Sequence, residues 1–155
     1  MVKKSIIIPA NPYIIYPHSR NNEPGDVEAH RSYLRNKGKV FWDVVPPGNV
    51  DTAWVHPDIT TGYFYISMNQ KVRYRFHIEK IGRLKEFGRE FDDFVPPWRR
   101  SYWHEKRWGH DYGFLINEIE PLSRERELYE FTLDSTGKQV RRVQNYVIVV
   151  EQGFY

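Results

Sequence analysis

The sequence predicts an α+β domain: a curved, mostly antiparallel β-sheet or small β-barrel with one or two peripheral helices. Three observations carry this expectation. Apolar residues recur with a two-residue period, or in short runs bounded by Pro, Gly and Asn, along much of the chain. A helical pattern with start and stop signals occurs near the N-terminus. No regular alternation of strand and helix follows it, which argues against a parallel α/β sheet. At 155 residues the chain fits one domain, 1–155, with room for a real core.

The elements read as follows. KSIIIPA is a short apolar strand ended by Pro9, and NPYIIYPHSRNNEPG is a turn-rich loop. DVEAHRSYLRNKG is a helix with Asp26 as N-cap and Gly38 as its stop. KVFWDVV is a strand closed by Pro46, Pro47 and Gly48. GYFYIS and KVRYRFHIEKI flank MNQ as a hairpin, with Val72, Tyr74, Phe76 and Ile78 on one face and Arg73, Arg75, His77 and Glu79 on the other. GRLKEFGREFDDF holds a helical turn or two, interrupted by Gly82 and Gly88. YGFLINEIEPL and NYVIVVE are strands, and LYEFTL is a further candidate.

Composition is that of a globular chain, 40% hydrophobic and 28% charged, but 16% aromatic is high. No apolar run approaches the roughly 20 residues of a membrane-spanning helix. The N-terminal MVKKSIIIPANP lacks the apolar stretch of about 7–15 residues of a signal peptide, so the protein reads as cytoplasmic. Cysteine is absent and methionine occurs twice. That removes disulfides, thiolate metal sites and cysteine nucleophiles, and agrees with a heat-adapted source. A net charge of +3 tolerates a polyanion without demanding one.

Phosphate-binding glycine loops, HExxH and GxSxG are all missing, and the six histidines share no evident face. No metal or other cofactor is expected. A metal-dependent nuclease is the enzymatic alternative, because clustered carboxylates hold the cation that activates water. Its residues would be Asp58, Glu79 and Glu86. Pro57-Asp58 and Glu79-Lys80 resemble the PD-(D/E)xK pattern, but the spacer between Glu79 and Lys80 is missing.

The most unusual stretch is FVPPWRRSYWHEKRWGHDYGF, residues 94–114. Trp98, Tyr102, Trp103 and Trp108 alternate there with Arg99, Arg100, Lys106 and Arg107. Core packing accounts for one or two of these rings. It does not account for all, because the guanidinium groups between them need water or an anion. Indole faces stack on bases at about 1–3 kcal/mol each, while neighbouring cations neutralise phosphates. Arg73 and Arg75 would extend that surface.

The succession IIIPANP, helix, KVFWDV, GYFYIS, KVRYRFHIEKI, YGFLINEIEPL and NYVIVV resembles the EVE branch of the PUA-like superfamily. That branch is related to YTH domains and to N-terminal DNA-reading domains of some archaeal modification-dependent restriction proteins. The resemblance covers most of the chain as an order of strand types. It implies a curved, barrel-like sheet with a pocket that accepts a single flipped, modified base between aromatic rings. On that implication Trp42 and Trp54 are pocket walls, Trp98 or Trp103 adds a lid, and Asn11 offers an amide to the base edge. The connection from Glu86 to Asp111 is longer and more aromatic than is usual in that family, and the glycine-rich stretches of some relatives are absent.

The expected function is therefore non-enzymatic nucleic-acid binding, with DNA ahead of RNA and no membrane partner. A protein-interaction module using 94–114 is the third reading, since Trp, Tyr and Arg also dominate protein interfaces. Oligomeric state is left open.

Overall fold

The computed structural model describes residues 3–10, 25–43, 59–66, 70–83, 93–96, 112–143 and 146–151. These form one helix, α1 (Asp26–Lys37), and a seven-stranded sheet: β1 (Lys3–Ala10), β2 (Val40–Asp43), β3 (Thr61–Ile66), β4 (Lys71–Arg83), β5 (Tyr112–Arg126), β6 (Thr132–Leu133) and β7 (Val147–Glu151). A 3₁₀ turn, Leu128–Glu130, precedes β6. The strand order is β2-β5-β4-β3-β1-β7-β6. Every neighbouring pair is antiparallel except β1 and β3.

The α+β expectation holds, with two corrections. The sheet is mixed, and it is open: among the described residues β2 and β6 are edges that do not pair with one another. It is nevertheless curved, and chain length shows why. Arg126 lies beside Val72 of β4, and Thr132 beside Val150 of β7. Five strand spacings separate β5 from β6 in the sheet order, about 24 Å if flat. Six residue steps reach at most about 20 Å even fully extended, and these contain a 3₁₀ turn. The sheet must roll to let the chain cross its face.

Each face carries a buried cluster. On the first, α1 lays Val27 and Leu34 over Ile6, Ile8, Phe64, Phe76, Phe114 and Ile116. Its amphipathic spacing matches the prediction, but Gly25 rather than Asp26 is the cap residue, in extended conformation. Gly38 ends the helix in the left-handed region and donates its N–H to Leu34 O at 2.7 Å. On the second face Ile7, Tyr63, Val72, Leu128, Phe131, Val140 and Val149 form a separate cluster under the crossing segment.

The alternation predicted for β4 breaks at one position. Tyr74, Phe76 and Ile78 face the α1 side, but Val72 belongs to the other cluster. Phe64 pairs with Tyr74 and Tyr65 with Val72, so Arg73 is an extra residue on β4. Such a bulge reverses the facing of everything beyond it. The predicted hairpin is present, closed by Gln70 at φ 57 with its N–H on Ile66 O. LYEFTL divides into the 3₁₀ turn and β6. The helical turns expected in 82–94 fall mostly outside the described residues, and Gly82 and Arg83 belong to β4.

Candidate nucleic-acid interface

The strand directions decide which connections share an end of the sheet. β2 finishes at Asp43 opposite Gly113 of β5, and Gly82 of β4 pairs with the same Gly113 from the other side. Asp43 and Gly82 are therefore two strand spacings apart, about 10 Å. The connection 44–58, which carries Trp54, leaves from Asp43. The connection 84–111, which carries Trp98, Trp103 and the cations Arg99, Arg100, Lys106 and Arg107, leaves β4 after Arg83 and returns at Tyr112. Arg83 and Tyr112 are themselves paired neighbours. Residues 93–96 tie this connection to the core: Val95 and Pro96 are buried, and the Tyr33 hydroxyl of α1 donates to Asp93 O.

Trp54, Trp98, Trp103, Asn11, Arg99, Arg100, Lys106 and Arg107 lie outside the described residues, as do Asp58 and Glu86. The chain leaves β1 for Asn11 at Ala10, beside Ile66, which is the end of the sheet opposite Gly113.

Trp42 is described, and it is interior. It is 4% exposed, with its ring centroid 4.3 Å from that of His30 and 4.4 Å from that of Phe64. Here it caps an aromatic column that continues through Phe76 and Phe114. β2 is an edge strand, but its Trp42 faces the α1 side of the sheet, where burying a large ring is favourable.

Arg73 and Arg75, expected at phosphates, stand in a cross-strand ladder. Arg73 Nε donates to Glu125 Oε1 at 2.8 Å, Arg75 Nη2 lies 3.3 Å from Glu120 Oε2, and Lys71 pairs with Glu127. Glu79 pairs with Lys39 at 2.8 Å. Among the described residues no group of three His, Asp or Glu side chains is placed to hold a metal.

The second face carries a cleft of about 710 Å³ lined in part by Tyr63, Arg75, Arg126, Phe131 and Glu151. The Arg126 guanidinium lies 4.0 Å above the Phe131 ring. The Tyr63 hydroxyl donates to Glu151, and burial first, then that carboxylate, raises its pKa. Across the sheet Tyr74 donates to Glu28 at 2.7 Å, and burial and that bond push it up to about 12. The signal for the ladder was present in the sequence: RERE at 124–127 answers KVRYR at 71–75 once the strands pair antiparallel.

No helix among the described residues is long and apolar enough to cross a membrane, which does not bear on crossing by strands. Comparison with protein-family models, with curated proteins and with solved structures finds no match.

Proposed function

We propose that this chain is a PUA-like, EVE-type domain that binds nucleic acid in the cytoplasm and holds one flipped, modified base between indole rings. The base would sit at the sheet end marked by Asp43, Gly113 and Gly82, between the connections that bear Trp54 and Trp98 or Trp103. Arg99, Arg100, Lys106 and Arg107 supply phosphate contacts. Trp42 belongs to the packing beneath that end rather than to a wall. DNA is the preferred partner.

One observation carries this reading. Arg83 and Tyr112 are paired neighbours on antiparallel strands, so the sheet needs only a turn of about two to five residues there. The chain instead inserts 28 residues, and they hold three of the five tryptophans. An insertion far beyond what closure requires, rooted on a rigid scaffold, is where binding residues concentrate. The energetics are consistent. Extruding a base costs a few kcal/mol, stacking returns about 1–3 kcal/mol per ring, and a buried methyl adds roughly 0.8 kcal/mol.

The test compares duplexes carrying one methylated cytosine or one methylated adenine with the plain duplex, by fluorescence anisotropy. One modified duplex should bind more tightly, and Trp54→Ala, Trp98→Ala or Trp103→Ala should remove that preference. Replacing 98–108 by a short Gly/Ser linker should abolish it while the domain stays folded. Equal affinity for modified and plain duplexes, unchanged in all these variants, would exclude the cage.

A further inference from the structure

A second surface, at the opposite end of the sheet, has an excess of cations that its own carboxylates do not match. Along 125–134 every acid already has a cation: Glu125 with Arg73, Glu127 with Lys71, Glu130 with Arg124 at 2.8 Å, and Asp134 with Lys4 at 3.3 Å. Hydrogen bonding to Arg124 holds the Glu130 carboxyl below its ordinary pKa. Lys138, Arg141 and Arg142 follow directly in the chain, are exposed, and make no ion pair among the described residues.

These three are held in place by ordered backbone. Leu133 N–H donates to Lys138 O at 2.8 Å, Gly137 N–H to Leu133 O at 2.9 Å, and Val140 N–H to Phe131 O at 3.0 Å. Val140 is buried in the second core cluster, which fixes the chain on both sides of it. Lys138 and Gln139 precede that anchor, and Arg141 and Arg142 follow it. Two adjoining depressions share Arg141 and Arg142. The smaller, about 370 Å³, is also lined by Tyr65, Gln70 and Tyr129. The other reaches Thr136 and Lys138. Tyr129 is 60% exposed, the one large apolar side chain so placed among the described residues.

We propose that Tyr129, Lys138, Arg141 and Arg142 form a contact surface for single-stranded nucleic acid. One unpaired base stacks on the Tyr129 ring, and successive phosphates are held by the two guanidinium groups and the ammonium. Guanidinium forks match phosphate oxygens bidentately, and a flat ring beside a cationic groove is the combination that single strands use. A single exposed ring without an apolar surround is a poor membrane anchor. The inference uses none of the tryptophans and stands apart from the cage proposed above.

The test is anisotropy of a labelled short oligothymidylate against the full chain at several salt concentrations. Arg141→Ala/Arg142→Ala should weaken binding and make the slope of log affinity on log salt shallower by about 1.4, at about 0.7 per phosphate on single strands. Tyr129→Ala should lose roughly 5–150-fold, the equivalent of about 1–3 kcal/mol of stacking, whereas Tyr129→Phe should retain most affinity. The control removes equal charge from the end of α1, Arg35→Ala/Lys37→Ala, and should change affinity little. Equal weakening by the control would reduce the effect to net charge and overturn the site. So would absent binding, an inert Tyr129→Ala, or competition by polyglutamate as effective as by oligothymidylate, which would mark an acidic-polypeptide surface instead. All replaced side chains are exposed, so an unchanged melting temperature confirms folding. Equal affinity of the parent chain for modified and plain duplexes, with this slope and its loss in Arg141→Ala/Arg142→Ala intact, would sink the cage and leave this surface standing.

Discussion

Replacing Gly62 by alanine probes how the sheet accommodates its largest rings. Gly62 of β3 pairs with Phe76 of β4, and the ring lies across the glycine backbone. A Cβ at position 62 would stand 2.1 Å from Phe76 Cζ, 2.4 Å from Cε2 and 2.7 Å from Cε1. The ring has little room to retreat: Phe76 is 1% exposed, with Phe64 and Phe114 at 4.4 and 5.9 Å between centroids. Gly62 does not have positive φ, so the cost is steric rather than conformational. Overpacking a dense core costs about 1–3 kcal/mol, and three clashing ring atoms place this change near the upper figure. At about 2–4 °C per kcal/mol for a chain of this size, Tm should fall by roughly 6–12 °C. Urea unfolding followed by tryptophan fluorescence measures the free energy directly. Gly137→Ala is the comparison, with no atom within 4 Å but φ +72, and should lose about 1–2 kcal/mol by left-handed strain alone. Adding Phe76→Leu to Gly62→Ala should recover part of the loss, giving a coupling energy above about 1 kcal/mol. If Gly62→Ala unfolds within about 0.5 kcal/mol of the parent and shows no coupling to position 76, the described packing is wrong.

Trp42→Ala should destabilise by about 3–5 kcal/mol, so any loss of nucleic-acid binding should track the folded fraction and vanish when binding is measured well below Tm. Tyr74 gives a pH signature. Its ordinary value is 10.0 and burial with the Glu28 bond raises it to about 12, so the unfolded chain releases this proton first. Stability is unaffected by it below pH 10 and declines between about 10 and 12; urea midpoints for Tyr74→Phe should decline less over that window. Arg73→Ala, which breaks an exposed pair with Glu125, should cost no more than about 1 kcal/mol, with the difference shrinking in concentrated salt.

The core strands were legible because each carries enough consecutive apolar or alternating residues to dominate its neighbours: Ile6, Ile7, Ile8, Phe64, Ile66, Phe114, Leu115 and Ile116 are all buried strand residues. What escaped was long-range. Nothing local marks Arg73 as the extra residue of a bulge, because the bulge exists only relative to Tyr65 and Phe64 on the partner strand. The parallel pairing of β1 with β3 is likewise invisible until α1 and β2 are known to intervene. At the candidate site, residue type was legible and accessibility was not. KVFWDV looks the same whether Trp42 faces a ligand or His30 and Phe64. Sequence alone leaves Arg73 and Arg75 as available cations, and only the pairing of β4 with β5 brings Glu125 and Glu120 opposite them. Conversely, GKQVRRV has no local feature that sets it apart from ordinary surface, although Lys138, Arg141 and Arg142 are among the cations left unmatched on the described surface.

The two proposed surfaces would be rooted at opposite ends of β4, one where the chain leaves after Arg83 and the other beside Gln70. Thirteen residues of strand span about 40 Å before curvature, equal to the rise of roughly 12 base pairs. That separation has a thermodynamic consequence. A nucleic acid shorter than the span occupies one surface or the other, so its affinity reflects a single set of contacts. A longer one that joins a modified duplex site to a single-stranded flank binds the second surface intramolecularly, at an effective concentration set by the intervening length. Curvature of the sheet shortens the required reach, which makes the rolled geometry itself part of how the two ends would be joined.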